Sequence, residues 1–429
     1  MTNSMRQSQL FTKTKKEAPS DEVSKNAELL IRGGFIHKEM AGVYSYLPLG
    51  LRVIKNIENI IREEMNAIDG QEITMTALQE KETWEPTDQW SDEKIDVWFK
   101  TKLKNETELG LAVTHEAPVT KIMKSFIQSY RDLPKFVYQF QTKFRNEARA
   151  KSGIMRCREF EMKDLYSFCK DEQEHNEFYE KSKVAYQNIF KRTGIGHITY
   201  LTFASGGMFS KYSHEFQTIT GAGEDTIYLD EVKGIAINKE VNNVETLSLL
   251  GLDKDKLVEK RAVEVGNIFT LGTRFSDALN LKYQTETGEL KSVFMGSYGI
   301  GPGRLMGTVV EALADDKGII WPESIAPFKV HLLVLGDDEA VSTEANKIYE
   351  SLVKNNIEVL FDDRKEVSAG EKFADADLLG IPYRTVVSTR SMKDLSAGAG
   401  GGIELKKRTE EKGKIVSLDE LINLLVTRT

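Results

Sequence analysis

Arginines, a glutamate and an aromatic ring crowd one stretch of the chain, and these residue types suit the binding of a nucleotide. Residues 136–144 alternate as a β-strand does, residues 146–153 form a polar, basic bend, and residues 157–168 form a returning run. The predicted hairpin brings together Arg145, Glu147, Arg156, Arg158 and Phe160. Guanidinium groups pair with phosphate oxygens in a bidentate way, and an aromatic ring can stack on a base. A solvated, charged hairpin that binds nothing is the alternative that this stretch leaves open.

A glycine-rich run at residues 296–304, GSYGIGPGR, ends in an arginine that could contact a phosphate. Its glycines permit a close turn from a strand into a helix, so that Arg304 points back over the sheet. A dinucleotide-binding fingerprint requires a parallel βαβ unit with a suitably placed acid, and Pro302 disfavours that interpretation. A turn with a purely structural role is the remaining alternative.

The triplet Thr114-His115-Glu116 follows a predicted strand at residues 109–113 and could hold an amino group. Hydroxyl and carboxylate oxygens are good acceptors for a cationic nitrogen. By itself such a triplet is more often structural. Neither His115 nor His214 has a partner that the sequence reveals, so both are interpreted as structural.

These groups must be positioned by a scaffold, and hydrophobic periodicity predicts one made of helices and strands. Helices are predicted at residues 21–32, between Gly50 and Asp69, and at 174–192 and 304–314, with further strands at 71–78, 262–271 and 290–296. From residue 329 onward strand and helix signals alternate, which is typical of a small α/β unit with a largely parallel sheet. The chain is therefore divided into a strand-rich domain, residues 1–326, and an α/β domain, residues 327–429.

Composition excludes several classes of protein. The formal net charge of −8 gives no overall basic field, so a nucleic-acid partner would have to meet a local basic surface. Two cysteines, Cys157 and Cys169, suggest no disulfide framework, and six scattered histidines offer no zinc spacing. The polar N-terminal residues lack an apolar signal core, and no apolar run approaches the ~20 residues that span a bilayer. We expect a cytoplasmic protein that spans no membrane.

The motifs occur in an order that resembles a known family. The FRxE and REF hairpin followed by a glycine-rich turn that ends in arginine resembles motifs two and three of class II aminoacyl-tRNA synthetases, and residues 50–78 resemble motif one. Nine collinear segments are similar to bacterial prolyl-tRNA synthetases over nearly the whole chain: MRQSQLF, THE, QTKFRNEAR, MRCREFEMKD, SHEFQ, EVGNIFTLGTRFS, MGSYGIGPGR, GIIWPESIAPF and DDRKE.

The resemblance implies an α+β fold, in which an antiparallel sheet flanked by helices (residues 1–326) is followed by an α/β anticodon-binding domain (residues 327–429). It implies ATP-dependent activation of L-proline to prolyl-adenylate and transfer to the 3' end of tRNA(Pro). ATP and Mg²⁺ are expected, zinc is not, and the enzyme is expected to be a homodimer.

The resemblance also assigns residues to ATP. Arg145 would bridge the carboxylate of the amino acid and the α-phosphate, and it is the first of two expected catalytic residues, with Arg304. Glu147 would accept a hydrogen bond from the adenine amino group and Phe160 would stack on the base. Arg156 and Arg304 would hold the β- and γ-phosphates.

A second set is assigned to proline. Thr114 and Glu116 would hold its imino nitrogen, while Met162, Asp164 and Phe269 would line the pocket of its ring. Arg145 belongs to this set as well, through the proline carboxylate.

Three further residues are assigned by the same resemblance. Glu264 would help to bind the magnesium ion that bridges the phosphates, Asn267 belongs to the ATP site, and Arg149 would contact the acceptor end of the tRNA.

The chain departs from the family pattern at Thr76, where motif one usually has proline, and at Asn267, where histidine is common. It departs also at Val113, usually proline, and Glu161, usually apolar.

In the C-terminal domain, residues 362–366 (DDRKE) and the basic Lys406, Lys407 and Arg408 are candidates for the side that faces RNA. A solvated strand end is the alternative interpretation of the short basic run.

Two other functions are alternatives to the activation of proline. A class II synthetase for threonine or glycine would share the anticodon-binding domain, but the lack of a zinc set disfavours a threonine pocket. A non-catalytic paralogue that binds nucleic acid or a partner would be expected to lose the phosphate-binding arginines, and Arg145, Arg156 and Arg304 are all present.

The connection at residues 240–261 is too short for the editing domain of many bacterial relatives, so no hydrolysis of alanyl-tRNA is expected.

Overall fold

A computed structural model of the protein describes residues 4–148, 150, 152–205, 212–394 and 402–426. The elements that precede the long hairpin are β1 Met5–Arg6, α1 Lys25–Arg32, β2 Ile36–Met40, β3 Val43–Tyr46, α2 Pro48–Ala67, β4 Gln71–Glu72, β5 Leu78–Glu80, α3 Lys81–Trp84, β6 Lys100–Lys102, β7 Glu108–Leu111 and α4 Glu116–Met123.

The middle of the chain contains most of the larger sheet. Its elements are β8 Lys135–Phe144, β9 Glu159–Cys169, α5 Glu172–Arg192, β10 Thr199–Ser205, β11 Tyr212–Ile219, β12 Asp225–Asp230, β13 Ile235–Asn238, α6 Val244–Leu250, β14 Val258–Gly272, α7 Arg274–Ala278, β15 Lys282–Gln284, β16 Leu290–Ser292, β17 Phe294–Ile300 and α8 Pro302–Leu313.

The last part alternates strands and helices, as its sequence predicts. Its elements are β18 Val330–Val334, α9 Glu339–Lys354, β19 Val359–Asp362, α10 Ala369–Leu379, β20 Tyr383–Val387, α11 Thr389–Lys393, β21 Ile403–Lys407, β22 Lys414–Val416 and α12 Leu418–Val426.

The described residues form two compact units. The first contains those within Met1–His37, Ser45–Asn56 and Leu313–Thr429, and the second contains Lys38–Tyr44 and Ile57–Ala312. Each unit has its own large sheet, and the fold is of mixed α and β type, as predicted.

The larger sheet has nine strands in the order β11-β10-β13-β12-β14-β17-β9-β8-β4. The predicted hairpin is present: β8 and β9 pair antiparallel from Lys135 opposite Phe168 to Phe144 opposite Glu159. Helix α5 covers one face of these strands, where the ring of Phe136 stacks on Phe178 at 3.7 Å between centroids. Because side chains alternate between the two faces of a strand, the other face remains available for a ligand.

Helix α2 begins with proline, whose fixed φ suits the first helical position. Its buried side chains recur four residues apart at Val53, Ile57, Ile61 and Met65, which places them on one face of the helix. Asp69, with a φ of 65°, turns the chain out of the helix.

The strand predicted at residues 71–78 is interrupted. Gln71–Glu72 pairs parallel with β8, and pairing resumes only at β5, which joins β7. Between them the Met75 amide donates to Gln139 Oε1 at 2.9 Å, so a side chain takes the place of a backbone partner.

The connection at residues 240–261 contains the short helix α6 and a 3-10 turn at Lys254–Lys256. Its last residues, from Val258 onward, already belong to β14. This connection, all of which the structure describes, therefore contains one short α-helix and no separate domain. In the part of the chain that the structure describes, no helix combines the length and the apolar character that crossing a membrane requires.

In the first unit the sheet order is β1-β19-β18-β20-β21-β22. Strands β19, β18 and β20 run parallel to each other, and β21 and β22 are antiparallel. Its outer strand β1 comes from the beginning of the sequence and runs parallel to β19, a pairing that the sequence analysis did not predict.

Candidate active site

One face of the larger sheet gathers most of the predicted site residues, because residues directly opposite each other on neighbouring strands point to the same side. The pairs on this face are Lys143 with Phe160, Gln141 with Met162, Gln139 with Asp164, Asp164 with Gly299, Gly299 with Asn267, Ser297 with Phe269, and Asn267 with Glu215. The alternation of five strands, β8, β9, β17, β14 and β11, therefore builds the floor of the site.

The Thr114-His115-Glu116 triplet lies at the start of α4, with Glu116 as the first helical residue. The hydroxyl of Thr114 donates to Glu116 Oε2, and Ser297 Oγ donates to Glu116 Oε1 at 3.2 Å. Burial raises the pKa of Glu116, since a carboxylate loses its hydration there. Both carboxylate oxygens thus accept from neutral donors, and no ammonium or guanidinium group on the described residues is paired with them, which suits a site for a positively charged nitrogen.

Under this triplet lies a buried ionic network. Lys143 Nζ donates to Asp164 Oδ1 at 2.7 Å and lies 2.6 Å from His115 Nδ1. Asp164 Oδ2 accepts from Gln139 Nε2 and from Tyr166 Oη, both at 2.9 Å. Asp164 is 3% exposed and both of its oxygens are occupied, so it supports the pocket from below.

His115 is fixed between two segments. Its Nε2 lies 3.1 Å from the carbonyl oxygen of Thr76 and its Nδ1 faces Lys143, so the neutral ring donates from Nε2 and accepts at Nδ1. Burial, followed by the charge of Lys143, lowers the pKa of His115 to about 4. The triplet's middle residue is therefore structural, as its sequence alone predicts.

Arg145 lies where the ATP and amino-acid assignments meet. Its guanidinium carbon is 5.2 Å from the centroid of the Phe160 ring. Withdrawal from water and the like charge of Arg304 lower its pKa, while Glu264 and Glu116 oppose this. Among the described residues, the guanidinium of Arg145 makes no hydrogen bond, so its five donors can serve an anion.

Arg304 projects back over the sheet from the first turn of α8, as predicted. Its Nε donates to the carbonyl of Met155 at 2.9 Å, and its Nη1 contacts both the carbonyl (3.1 Å) and Oε2 (3.3 Å) of Glu264.

Arg156 and Glu147 are paired with each other. Arg156 Nε and Nη2 donate to Glu147 Oε2 at 3.2 and 2.9 Å, and Nη1 donates to Glu224 Oε2 at 2.9 Å. The hydrogen bond to Glu147 raises the pKa of Arg156. These two residues, assigned to phosphate and to adenine, therefore neutralise one another in this structure.

A carboxylate cluster faces Arg304 from the side of β11 and β14. Asn267 Nδ2 donates to Glu264 Oε1 at 2.8 Å, and Glu215, opposite Asn267, accepts from Gln217 Nε2 at 2.9 Å. Burial and the neighbouring carboxylate of Glu264 hold the pKa of Glu215 well above its usual range. A cation placed here would relieve this repulsion.

A cavity of about 280 Å³ opens between these groups. It is lined by Arg145, Glu147, Ser152, Met155, Arg156, Ala222, Glu224, Asp225, Val263, Glu264 and Arg304. A smaller adjoining cavity reaches Phe160, Met162 and Gly301. The arginines assigned to ATP are thus brought together around one space.

The magnesium ion implied by the resemblance fits this donor set. Mg²⁺ is usually bound through one or two carboxylates together with substrate phosphates. Glu264 offers such a carboxylate beside Arg304. Within the described ranges, no three His, Cys, Asp or Glu side chains are arranged to hold a metal ion by themselves.

Arg408 and Arg149 were both predicted to face RNA. Arg408 is 8% exposed and its guanidinium holds Asp315 at 2.6 and 2.9 Å, so its placement on an exposed side was wrong. A short KKR run does not reveal that its third residue pairs with Asp315, an acid 93 residues earlier in the chain. Arg149, assigned to the tRNA acceptor end, lies outside the described residues.

The sequence analysis missed three residues that belong to the site. Lys143 and Ser297 contact the Asp164 and Glu116 carboxylates, and Glu215 crowds Glu264. Strand alternation could have found Lys143, which lies two residues before Arg145. Glu215 lies in the SHEFQ segment, but its position beside the site follows only from the pairing of β11 with β14.

Residues 99–313 match the family described as the tRNA synthetase class II core domain (G, H, P, S and T), and residues 329–428 match the anticodon binding domain.

Similar curated proteins are proline–tRNA ligases. That of Hyphomonas neptunium is 34% identical over 442 positions, covering 97% of this chain and 99% of the relative. That of Rickettsia bellii is 36% identical over 425 positions, covering 96% of each. That of Caldicellulosiruptor bescii is 32% identical over 570 positions, covering 98% of each. Since 570 positions far exceed the 429 residues of this chain, the last relative has additional residues.

Similar solved structures share the fold. Prolyl-tRNA synthetase of Cryptosporidium parvum, complexed with halofuginone and AMPPNP, has a TM-score of 0.76 at 16% identity, covering 93% of this chain and 75% of that one. The Giardia lamblia enzyme in complex with prolyl-adenylate has a TM-score of 0.75 at 17% identity, covering 92% and 74%.

Proposed function

Because this chain belongs to the family of proline–tRNA ligases, we propose that it activates L-proline with ATP and transfers the prolyl group to the 3' end of tRNA(Pro). The observation that carries the proposal is the position of Arg145. Its guanidinium, which makes no hydrogen bond to any residue that the structure describes, interacts electrostatically with Glu116 on the amino-acid side and with Arg304 and Glu264 on the phosphate side. One cation between two half-sites is what a reaction between a carboxylate and a phosphate requires.

Proline enters above Glu116. Its cationic imino group replaces the neutral donors around that carboxylate, with Thr114 as a second acceptor. Met162 and Phe269 lie on the same face of the sheet and contact the ring. Asp164 keeps its network and fixes the depth of the pocket.

ATP occupies the 280 Å³ cavity and its smaller neighbour. Phe160 stacks on the adenine base, and the amino group of adenine donates to Glu147. Arg156 then leaves Glu147 and, with Arg304, meets the β- and γ-phosphates. Asn267 holds Glu264 in place through the 2.8 Å hydrogen bond.

Activation needs no general base, because the proline carboxylate is already a nucleophile. One of its oxygens attacks the α-phosphorus, the bond from that phosphorus to the bridging oxygen breaks, and pyrophosphate leaves with the electron pair. Arg145 aligns the two reactants and neutralises the charge that grows on the equatorial oxygens. Magnesium, held by Glu264, supplies further neutralisation of phosphate charge when bound.

In the second step a ribose hydroxyl of the terminal adenosine attacks the prolyl carbonyl and AMP leaves. Arg149 is proposed to position this end of the tRNA. The domain at residues 327–429 binds the anticodon region, with residues 362–366 and the Lys406 and Lys407 side of β21 as candidate contacts.

We further propose that the protein is a cytoplasmic homodimer with residues 51–78 in the contact. Helix α2 supports this because the Leu51 side chain is 47% exposed, whereas the Val, Ile and Met side chains of the same helix are buried. The catalytic domain is proposed to lie within residues 1–326, of which β1 pairs with β19 in the sheet of the first unit.

The test is ATP–pyrophosphate exchange with each of the twenty amino acids. Proline-dependent, magnesium-dependent exchange is expected. Exchange with threonine or glycine instead would identify another class II specificity, and exchange with no amino acid would identify a non-catalytic paralogue.

A further inference from the structure

Residues near the start of the sequence complete the sheet of the anticodon-binding domain. Strand β1 runs parallel to β19, with Met5 opposite Leu360 and Arg6 opposite Phe361. Ser4 Oγ accepts from the Val359 amide at 3.0 Å. This segment therefore belongs structurally to a domain that lies more than three hundred residues further along the chain.

Arg6 reaches from this strand to the first turn after β19. Its Nη2 donates to Asn346 Oδ1 at 2.6 Å and its Nη1 lies 3.4 Å from Asp363 Oδ2. The guanidinium carbon lies 5.1 Å from the ring centroids of both Tyr349 and Phe361. Packing against two rings and hydrogen bonding fix the side chain in one place.

The same segment binds Asp363 directly and reaches Arg364 through Asp375. The amide and hydroxyl of Ser8 donate to Asp363 at 3.0 and 2.9 Å. Thr14 Oγ1 donates to Asp375 at 2.7 Å, and Asp375 accepts from Arg364 at 2.8 Å. The conformation of this loop thus depends on residues 6–14.

The loop and Arg6 border a cavity of about 1020 Å³, at the upper end of the ~300–1,000 Å³ typical of ligand pockets. Its ionisable lining is balanced: four acids and four bases, namely Asp337, Glu339, Asp363, Glu366, Arg6, Arg364, Lys365 and Lys372. Without Arg6 the acids outnumber the bases, which disfavours a polyanion such as RNA.

We propose that Arg6 is a positioning residue for the anticodon loop of the tRNA, which enters this cavity. Arg6 neutralises Asp363 and so lets the nearby Lys365 meet the RNA, whereas the guanidinium of Arg364 is held by Asp362 and Asp375. Arg6 does not itself contact a phosphate. The inference rests on the proposed function, because it requires tRNA to be the ligand of this domain.

The test is Arg6→Ala, assayed by charging of tRNA(Pro) and by pyrophosphate exchange. We expect the KM for tRNA(Pro) to rise about tenfold, since an uncompensated acid is left in the interface. Exchange, which uses no tRNA, should stay at the wild-type rate. Absence of exchange in the wild-type enzyme would instead defeat the proposed function, so the two failures differ.

Asp363→Asn separates positioning from contact. In the Arg6→Ala background it removes the uncompensated charge, so most of the lost affinity should return. If it does not, or if Asp363→Asn alone weakens charging as much as Arg6→Ala, Asp363 itself contacts RNA and the proposal is wrong. The slope of log binding constant against log salt concentration is the second measurement. If Arg6→Ala lowers the magnitude of this slope by about one, Arg6 contacts a phosphate directly and the proposal is wrong.

Arg32→Ala is the matched control. Its side chain is 27% exposed, against 29% for Arg6, and it pairs with Glu28 at 3.1 Å outside the cavity lining. It should leave the KM for tRNA unchanged. If Arg6→Ala fails to fold, Ser8→Ala removes one 2.9 Å hydrogen bond to Asp363, and a two- to threefold rise in this KM is expected, roughly. An unchanged KM in Ser8→Ala would then count against the proposal.

Discussion

Replacing Lys143 with methionine tests whether the buried ionic network supports the amino-acid pocket. The side chain of Lys143 is 1% exposed, and its ammonium group lies between Asp164 and His115. Methionine keeps most of the volume of the side chain but removes the charge. The substitution therefore leaves the buried carboxylate of Asp164 without its cation.

The magnitude follows from what Asp164 retains. Removing one partner of a buried ion pair typically costs ~3–5 kcal/mol, because the other charge stays buried. Asp164 keeps the hydrogen bonds from Gln139 and Tyr166, so we expect a loss of about 3 kcal/mol in the free energy of unfolding at about pH 8. In the double variant Lys143→Met/Asp164→Asn no charge remains, and a loss of only ~1 kcal/mol is expected.

His115 makes this loss depend on pH. Its pKa is about 4 in the folded protein, against ~6.5 for an unfolded histidine. A lowered folded-state pKa stabilises the protein above pH ~6.5, and this contribution is lost as the pH falls towards 4. Without Lys143 the pKa of His115 rises, and Asp164 lies 3.9 Å away as a partner. The deficit of Lys143→Met should therefore be smaller at about pH 5.5 than at about pH 8.

The assay is urea unfolding followed by tryptophan fluorescence. Trp84, Trp90 and Trp98 pack against one another in the same unit as Lys143 and report its unfolding. Lys121→Met is the control: its side chain is 59% exposed and pairs with Glu80 at 3.3 Å, so a change below ~0.5 kcal/mol is expected.

Two results would refute this reasoning. One is a Lys143→Met protein within ~1 kcal/mol of the wild type, which would mean that Asp164 is not dependent on its cation. The other is a double variant no more stable than Lys143→Met, which would mean that the lost packing of the lysine stem, and not the charge, sets the loss.

The remaining predictions concern catalysis, assembly and fidelity. Arg145→Ala and Arg304→Ala should each lower proline-dependent exchange by at least ~100-fold, because each removes a donor to the transition state; near-normal exchange by folded variants would contradict the site assignment. Light scattering at micromolar concentration should give the mass of a dimer, and a monomer would contradict the contact proposed for residues 51–78. Since missing methylenes change selectivity only ~10–200-fold, the enzyme should form some alanyl-tRNA(Pro) and not hydrolyse it. Deacylation of added alanyl-tRNA(Pro) well above the spontaneous rate would reveal an editing activity in this chain.

Local periodicity could predict the hairpin, because β8 and β9 pair in one continuous antiparallel register and their alternation is visible residue by residue. It could not predict the interruption of residues 71–78. There two glutamine side chains, Gln139 and Gln141, bind the backbone of Met75, and nothing in residues 71–78 themselves signals a partner on another strand.

The arginines of the site could be predicted because short motifs contain them. The network beneath could not, since Lys143, Asp164 and His115 come from three separate segments and meet only after the sheet has formed. The exclusion of Arg408 from the surface likewise depends on Asp315, 93 residues away.

The parallel pairing of β1 with β19 has a consequence for synthesis of the protein. Contacts such as that between Ser8 and Asp363 join residues 355 positions apart. A ribosome adds ~5–20 residues per second, so β1 leaves it roughly 20–70 s before its partner strand does. Through that interval β1 has no strand to pair with, and contacts so distant in sequence form slowly in any case. The edge of the anticodon-binding sheet is therefore closed late, by residues that were made early.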